Sequence, residues 1–463
     1  MKEHHTANEN NATHNDWYEQ EFSSADIGDK RLNKRLVKIA GDLSSNPSMP
    51  INQASGDWHS TKAAYQFFDN TKVTPESILT PHFNNTAWRV SAHSVVLAVQ
   101  DTTSFNYTSH KSLELGPIGK ENTSGVFQHN TLAISSDGLP LGLLDQITWA
   151  RPKDKENRET LDIAERESSR WIKSLINTVK NTPEGTEVVT VCDRESDIYE
   201  FFDEAENLNA HVLVRCKHNR NINESNLGIK EYLKSQEIQC QYEVVVPRRK
   251  GDYPERKALV SLRYAPVTIQ VPEHLENEVK HDEIKMYGIH VEETDPPEGI
   301  EAIEWFLTTN IPLSNIDDAL EKVDWYLKRW LVEVYHKSEK TCCSSEDCRL
   351  ETKDRLLNFL AVNSVIGWRV LFITYIGRQN PKGTAQIILA PVEIKVLQGG
   401  VNQKLKKPMK IKTVRDAVHA IAMLGGYMGR KSDKAPGIIT VCRGMMRLHD
   451  FLRGFLLATH IDS

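Results

Sequence analysis

The chain has 463 residues, which is long enough for several domains and a substantial buried core. Apolar residues make up 39% of it and charged residues 26%, the composition of a soluble globular protein. No apolar run reaches the roughly 20 residues that span a bilayer, so we expect no membrane-spanning segment. The formal charge of −6 gives no support to a nucleic-acid partner, and the seven irregularly spaced cysteines predict a reducing cytoplasm.

The N-terminal part of the chain reads as a polar leader followed by helices. Residues 1–16 have no apolar core, so they are predicted to be a disordered leader and not a signal peptide. Residues 17–70 are predicted to be helical, and the segment DKRLNKRLVKIAGDL separates its charges by face, with the cations within an arc of about 140°. These cations are Lys30, Arg31, Lys34, Arg35 and Lys38. Such a face fits a phosphate backbone, and a helix that only keeps its cations in water is the alternative.

After the helical region the periodicity becomes that of strands. The segment SVVLAVQ is a short apolar strand that ends at Asp101, and Asp137-Gly138 joins two further strands in a hairpin. A helical pattern over about 159–178 precedes the strand EVVTVC, which ends at Asp193, and the strand HVLVR. A hairpin followed by a helix and by buried strands of the parallel kind indicates an α/β layer.

Residues 220–310 have a different pattern. Their apolar and β-branched runs lie between turns that contain Pro and Gly, so a β-rich insertion is predicted. Helical patterns follow, among them those at Val414–Leu424 and Ile438–Leu457. Between Lys404 and Arg447 there are eleven Lys or Arg residues and only two acidic ones, so positive charge is segregated there despite the acidic total.

The stretch Asp324–Lys340, DWYLKRWLVEVYHKSEK, is predicted to be one amphipathic helix. An α-helix advances about 100° per residue, so five polar side chains at steps of three and four fall within an arc of about 80°. They are Tyr326, Arg329, Glu333, Lys337 and Lys340. One carboxylate in a row of cations and a phenol suits a group that holds a divalent metal beside phosphates. A solvated face with Glu–Lys pairs is the alternative.

Three carboxylates stand at positions that suit catalysis. Asp101 and Asp193 follow buried strands, where α/β sheets usually bind ligands, and Glu333 lies on the helix. Three convergent carboxylates favour Mg²⁺ or Mn²⁺, and two such ions about 3.5–4 Å apart promote phosphoryl transfer. Taken singly, Asp101 could instead cap a turn, and Asp193 could pair with Arg194.

The spacing of Tyr, Arg, Glu and Lys in this helix matches the signature of bacterial DDE transposases of the insertion-sequence-four group. The strand ends VQDTTSF and VCDRESDI resemble the segments that carry the first and second catalytic aspartates of that family. Shorter matches follow in family order along nearly the whole chain: FSSADIGDKRLNKRL, TWARP, ESSRW, VRCKH, DPPEG, EWFLTT, RWLVEVYHK and LGGYMGRK. The chain therefore resembles this family over most of its length.

The resemblance implies an α/β fold with an RNase H-like core, interrupted by a β-rich insertion and flanked by N-terminal and C-terminal helical domains. The implied domains are an end-binding helical domain at 17–70 after the leader at 1–16, a catalytic domain at 71–219 and 311–380, a β-strand insertion at 220–310, and a helical dimerisation domain at 381–463.

The activity that the resemblance implies is cut-and-paste DNA transposition with two Mg²⁺ ions, for which Mn²⁺ can substitute. Water nicks one strand at the transposon end, and the freed 3′-OH attacks the opposite strand to form a DNA hairpin. Water then opens the hairpin, and the 3′-OH joins target DNA. The implied partners are double-stranded DNA, at the transposon ends and at the target, and a second copy of the chain, with no nucleotide cofactor and no membrane.

The functional residues of the family can be carried over to matching positions. Asp101, Asp193 and Glu333 become the catalytic metal ligands. Trp305 matches a tryptophan that stacks on a base pulled from the duplex, and a buried core position is its alternative. The residues that the resemblance expects to bind phosphates around the hairpin are Tyr326, Arg329, Lys337, Lys340, Arg215 and Lys217.

Recognition of the transposon end is expected from the first basic helix. Arg31 and Arg35 match basic residues of the family. The cations of this helix that are expected to recognise the end are Lys30, Arg31, Lys34 and Arg35. Leu32 departs from a cation found at that place, which leaves the recognised end sequence open.

Other features have simpler interpretations. A possible zinc set lacks the standard ligand spacing, so its cysteines are expected to be free thiols. It consists of His336, Cys342, Cys343 and Cys348. His129 is expected to pack or hydrogen-bond, and the basic loop Arg248–Lys257 either touches DNA or is solvated. Two other functions stay open: a DNA-binding regulator derived from a transposase, and a metal-dependent nuclease that never joins strands.

Overall fold

A computed structural model describes residues 16–119, 122–152, 167–246, 255–403, 405, 408–430 and 432–461. The α-helices are α1 Trp17–Phe22, α2 Lys30–Ser45, α3 Ile51–Ser55, α4 Trp58–Phe68, α5 Pro75–Val90, α6 Ser169–Asn181, α7 Tyr199–Asn207, α8 Ile229–Ser235, α9 Ile316–Lys328, α10 Trp330–Lys337, α11 Lys353–Gln379, α12 Pro391–Asn402, α13 Val414–Leu424 and α14 Ile438–Ile461. The strands are β1 Val95–Asn106, β2 Gly125–Ser135, β3 Pro140–Trp149, β4 Glu187–Cys192, β5 His211–Arg215, β6 Cys240–Val246, β7 Arg256–Gln270, β8 Glu283–Glu293 and β9 Glu304–Thr309.

This order of elements confirms the expected α/β class with helical segments at both ends. The chain forms two compact units, the first made of the residues up to Asn85, Phe105–Val126 and the chain from Val334 onward. The second unit comprises Thr86–Ser104 and Phe127–Glu333. Three predicted features lie wholly or partly outside the described residues: residues 1–15 of the expected leader, the start of the helix at 159–178 and most of the basic loop Arg248–Lys257.

In the first unit, α2 has the two faces that its sequence pattern predicts. Leu36, Ile39 and Leu43 are buried, because apolar side chains three and four apart share one side of a helix. The Asp29 carboxylate caps the helix by accepting a hydrogen bond from the Arg31 N–H at 2.9 Å. The cations on the opposite face are exposed at Lys30, Arg31, Lys34 and Lys38 and partly exposed at Arg35.

Helix α11 is the apolar centre of the first unit. It is long and apolar enough to cross a membrane, with a mean hydropathy of 1.7 in its most apolar window, but 83% of that window is buried inside the protein. The Asn358 amide nitrogen donates to the carbonyl oxygens of Phe68 at 3.1 Å and Val73 at 3.0 Å, so this buried donor of α11 is satisfied by protein. The sequence analysis did not predict a helix this apolar. The burial of α11 identifies it as a core helix.

The second unit is built on a nine-stranded sheet with the order β3-β2-β1-β4-β5-β9-β8-β7-β6. Strands β1, β4 and β5 are parallel neighbours, and β2 and β3 form the predicted antiparallel hairpin. Gly138 turns this hairpin with a φ of 97°, a conformation that glycine adopts without strain. The central strands are almost wholly buried, which explains their continuous apolar runs.

The β-rich insertion extends the same sheet. Strand β9 pairs antiparallel with β5 on one side, with Arg215 opposite Leu307, and with β8 on the other. The apolar runs ALVSLRY and VTIQVP form the single strand β7, with Pro266 inside it. Pro266 lies beyond the residues that pair with β6, so its missing N–H removes no hydrogen bond to that strand.

Candidate active site

The sheet brings Asp101 and Asp193 side by side. Val99 on β1 lies opposite Val191 on β4, and two residues later come Asp101, still in β1, and Asp193, directly after the end of β4. The Asp193 carboxylate caps the turn after β4, accepting a hydrogen bond from the Glu195 N–H at 2.9 Å. Asp101 was expected to close its strand, which is wrong, because β1 continues beside β2 as far as Asn106 after β4 has ended.

The helix that carries Glu333 is interrupted, so the expectation of one regular helix is wrong. Helix α9 ends at Lys328, and the Arg329 N–H donates to the Tyr326 carbonyl at 3.0 Å, a tighter turn than an α-helix makes. Helix α10 begins at Trp330, and a π-helical turn follows at Ser338–Cys342. The five polar residues therefore do not share one continuous helical face.

Arg329 joins two of the three carboxylates. Its guanidinium lies 2.6 Å from a Glu333 oxygen and 3.6 Å from an Asp101 oxygen. The Arg329 and Asp101 side chains are each 17% exposed, whereas Glu333 is 58% exposed. Glu333 therefore lies at the open side of the group, and Arg329 occupies the space between Glu333 and Asp101.

The electrostatics of this group suit a divalent cation. Burial raises the pKa of Asp101 to about 7, the Arg329 guanidinium opposes this, and the charges of Asp193 and Glu333 raise it further. A buried carboxyl among like charges is a group that a divalent cation stabilises in its ionised form. Carboxylate oxygens are the donors that Mg²⁺ and Mn²⁺ prefer. The ligand oxygens of Asp101, Asp193 and Glu333 do not all lie within 4.8 Å of one another, and Arg329 contacts both Asp101 and Glu333.

Tyr326, Arg215 and Trp305 form a second layer beside the carboxylates. The Tyr326 and Trp305 ring centroids are 6.4 Å apart, and Tyr326 is buried while Trp305 is partly exposed. Arg215 donates to the Glu304 carbonyl at 3.2 Å, immediately before Trp305 in the chain. Burial raises the pKa of Tyr326, against the effect of Arg329 and Arg215, so the neutral phenol is available as a hydrogen-bond donor.

The remaining residues expected to contact DNA belong to both units. Lys217 is exposed at the end of β5 in the second unit. Lys337 and Lys340 belong to the first unit, where Lys337 is exposed and the Lys340 ammonium lies 5.6 Å from the centre of the Phe105 ring. The basic residues of α2 also belong to the first unit.

A second cluster of possible metal ligands lies on β8 and β9. Within the described part of the chain, His290, Glu292 and Glu304 are the one trio whose ligand atoms all lie within 4.8 Å of one another. Arg263 lies 3.2 Å from Glu292, and Lys234 lies 2.9 Å from Glu304. These cations already balance the carboxylates, so this trio is best described as an ion-pair network beside Trp305.

The histidine and cysteine features are structural. All seven cysteines are free, and among the described residues His336, Cys342, Cys343 and Cys348 do not converge as metal ligands. His129 is fully buried, and its Nδ1 lies 2.8 Å from the Thr102 hydroxyl, as the hydrogen-bonding interpretation expects.

Sequence reasoning missed two residues near this site. Arg170 was noted only as part of the motif ESSRW, yet its guanidinium contacts residues beside both aspartates. Trp330 follows Arg329 directly and is 49% exposed, which makes it a further aromatic surface at the start of α10. For Trp330 the available signal was its position directly after Arg329, because a cation followed by an aromatic residue is suited to nucleic acid.

Comparison with known protein families accounts for most of the chain. Residues 14–73 match the transposase DNA-binding family, 163–365 match the transposase DDE domain, and 365–461 match the Tn5 transposase dimerisation domain. The DDE match includes Asp193 and Glu333 and begins after Asp101. The RNase H-like character expected of the central domain agrees with this match and with the nine-stranded sheet. The chain is a member of the DDE transposases, built from a DNA-binding, a DDE and a Tn5-type dimerisation domain.

Proposed function

We propose that this transposase works by cut-and-paste through a DNA hairpin, as members of the insertion-sequence-four group do, and uses Mg²⁺ at Asp101, Asp193 and Glu333. The observation that carries this proposal is the adjacency of Asp101 and Asp193 on parallel strands, with Glu333 joined to Asp101 through Arg329. Divalent cations held there would activate the attacking oxygen and stabilise the leaving oxygen of each phosphoryl transfer.

The protein's own side chains supply binding and orientation in this proposal. Arg329 and Tyr326 lie beside the carboxylates, where a guanidinium fork and a phenol can hold a phosphate. Arg215, tied to the backbone of β9, supports the same surface. A second copy of the chain, paired through the dimerisation domain, would allow two transposon ends to be held together. We expect the protein to act in the cytoplasm on nucleoid DNA.

The test is a cleavage assay on the inverted repeats that flank the coding region. With the full chain and Mg²⁺, we expect nicked ends, hairpin-ended DNA and joined target DNA, and we expect none of these products when EDTA removes divalent cations. Products are resolved on denaturing gels. A protein that binds these ends but leaves them intact in both Mg²⁺ and Mn²⁺ would contradict the proposal.

Trp305→Ala is expected to separate nicking from hairpin formation. A base stacked on an aromatic ring gains about 1–3 kcal/mol, so hairpin formation should slow by roughly 10–100-fold while the first nick keeps its rate. Single-turnover time courses of nick and hairpin report the two steps separately. Trp305→Phe keeps a stacking ring and should recover part of the loss, whereas equal slowing of both steps would point to a core defect.

Lys34→Ala and Arg35→Ala are expected to weaken binding to end DNA. Each lost phosphate contact should reduce the slope of log affinity against log salt concentration by about 0.9. Lys38→Ala is the matched control on the same helix, because Asp42 already pairs with that ammonium at 2.9 Å. Binding isotherms at several salt concentrations check this, and equal effects at all three positions would argue against a specific contact.

A further inference from the structure

Arg170, on α6 in the second unit, connects the chain segments that follow the two aspartates. Its Nε donates to the Thr102 hydroxyl at 3.0 Å, and its Nη2 donates to a Glu195 carboxylate oxygen at 2.6 Å. Its Nη1 donates to the Glu167 carbonyl at 2.7 Å. Only 14% of the Arg170 side chain is exposed, so one largely buried guanidinium bridges strand β1 and the turn after β4, which are far apart in sequence.

Two of the three residues to which Arg170 donates, Thr102 and Glu195, also hold an aspartate. The Thr102 N–H donates to the Asp101 carboxylate at 2.9 Å. The Glu195 N–H donates to the Asp193 carboxylate at 2.9 Å. A shift of the guanidinium would therefore move the two hydrogen-bond donors that orient the two carboxylates.

The guanidinium is itself held in place by its surroundings. It lies 5.3 Å from the centre of the Trp171 ring and 5.8 Å from that of Trp149, within range of cation–π attraction. The carboxylate of Glu167, whose carbonyl accepts from Arg170, binds Arg151 through both oxygens, at 2.5 Å and 2.6 Å. A planar, five-donor guanidinium is needed to satisfy three partners in fixed directions, and a lysine ammonium lacks this shape.

We propose that Arg170 is a positioning residue, which sets the relative orientation of Asp101 and Asp193 and thereby their affinity for divalent cations. The inference rests on the proposed metal chemistry, since it assumes that these two carboxylates bind the same ions. It predicts that the protein loses metal affinity when a residue outside the proposed set of metal ligands is replaced.

Mn²⁺ binding to the full-length protein, followed by electron paramagnetic resonance without DNA, tests this directly. We expect Arg170→Met to raise the dissociation constant for Mn²⁺ by roughly 10–100-fold, the usual cost of losing an outer partner of a metal ligand. Arg170→Lys keeps the positive charge but lacks the planar guanidinium, so its dissociation constant for Mn²⁺ should lie between those of the parent protein and Arg170→Met. Arg194→Met is the matched control, because Arg194 is an exposed arginine directly after Asp193 and should leave Mn²⁺ affinity unchanged.

Thr102→Val provides a second route if Arg170→Met does not fold. It removes the hydroxyl that Arg170 contacts, keeps the N–H that holds Asp101, and should also weaken Mn²⁺ binding. Unchanged thermal unfolding shows whether Arg170→Met and Thr102→Val fold. If either folded variant binds Mn²⁺ with normal affinity, the inference about Arg170 is overturned while the proposed metal chemistry still stands. Failure of the parent protein to bind Mn²⁺ would instead overturn the proposed metal chemistry.

Discussion

Asp193→Asn is expected to lower DNA cleavage by more than about 10²-fold, since even outer partners of metal ligands cost roughly 10–100-fold when lost. Binding to end DNA should be unchanged. The amide removes the negative charge that a divalent cation requires, yet its carbonyl can still accept the Glu195 N–H hydrogen bond and cap the turn after β4. Cleavage kinetics and gel-shift binding on the same end DNA measure the two effects.

The matched control for this change is Glu292→Gln. It alters a carboxylate of the cluster on β8 and β9, where Arg263 already balances the charge at 3.2 Å, so Mg²⁺-dependent cleavage should persist. Cleavage that survives Asp193→Asn but not Glu292→Gln would move the metal site to that cluster. A parent protein that binds ends without cutting them would favour the regulator, and one that cuts but never joins would favour the nuclease.

Arg329→Met is expected to reduce cleavage on the order of 10²-fold, the usual cost of one lost donor to a reacting oxyanion, while metal binding is retained or strengthened. The reason is that Arg329 competes for the carboxylates, lying 2.6 Å from Glu333 and 3.6 Å from Asp101. Its removal frees them for a divalent cation and at the same time removes a donor to the DNA phosphate. Mn²⁺ affinity and single-turnover cleavage, measured together, separate the two roles.

The same variant should also be less stable without metal. The free energy of unfolding should fall by about 1–3 kcal/mol, less than for a fully buried pair because Glu333 is more than half exposed. Added Mg²⁺ should raise its thermal midpoint more than that of the parent protein. Lys328→Met serves as the control, since Lys328 pairs with the exposed Asp324 and should change neither metal affinity nor cleavage. Weaker metal binding in Arg329→Met would contradict the expectation that Arg329 competes with divalent cations for the carboxylates.

Periodicity was enough to predict the class of fold and most of its elements. The face pattern of α2, the hairpin at Asp137-Gly138 and the buried runs of β1 and β4 each depend on residues close in sequence. The interrupted helix was beyond this reasoning, because the tight turn at Arg329 and the π-helical turn at Ser338–Cys342 leave no mark in residue spacing. The extent of β1 past Asp101 likewise depends on its neighbour β2.

The sequence was enough to propose the three carboxylates, whose role stays a prediction, but not the side chains that support them. Acidic residues after apolar strands point to Asp101 and Asp193, and the family spacing points to Glu333. The bridge from Arg170 to Thr102 spans 68 residues of sequence, and nothing local to either residue indicates that they meet. Pairings of this kind are set by tertiary packing, which a single sequence does not display.

Strand β9 is hydrogen-bonded along both of its edges, to β5 and to β8. Trp305 itself is paired with Val291 on β8, and the pairing with β5 begins two residues later at Leu307, so displacing this part of β9 would disturb hydrogen bonds to both neighbouring strands. In the proposed hairpin mechanism, where a base stacks on Trp305, we therefore expect the bending needed for a sharp hairpin to occur in the DNA and not in this strand.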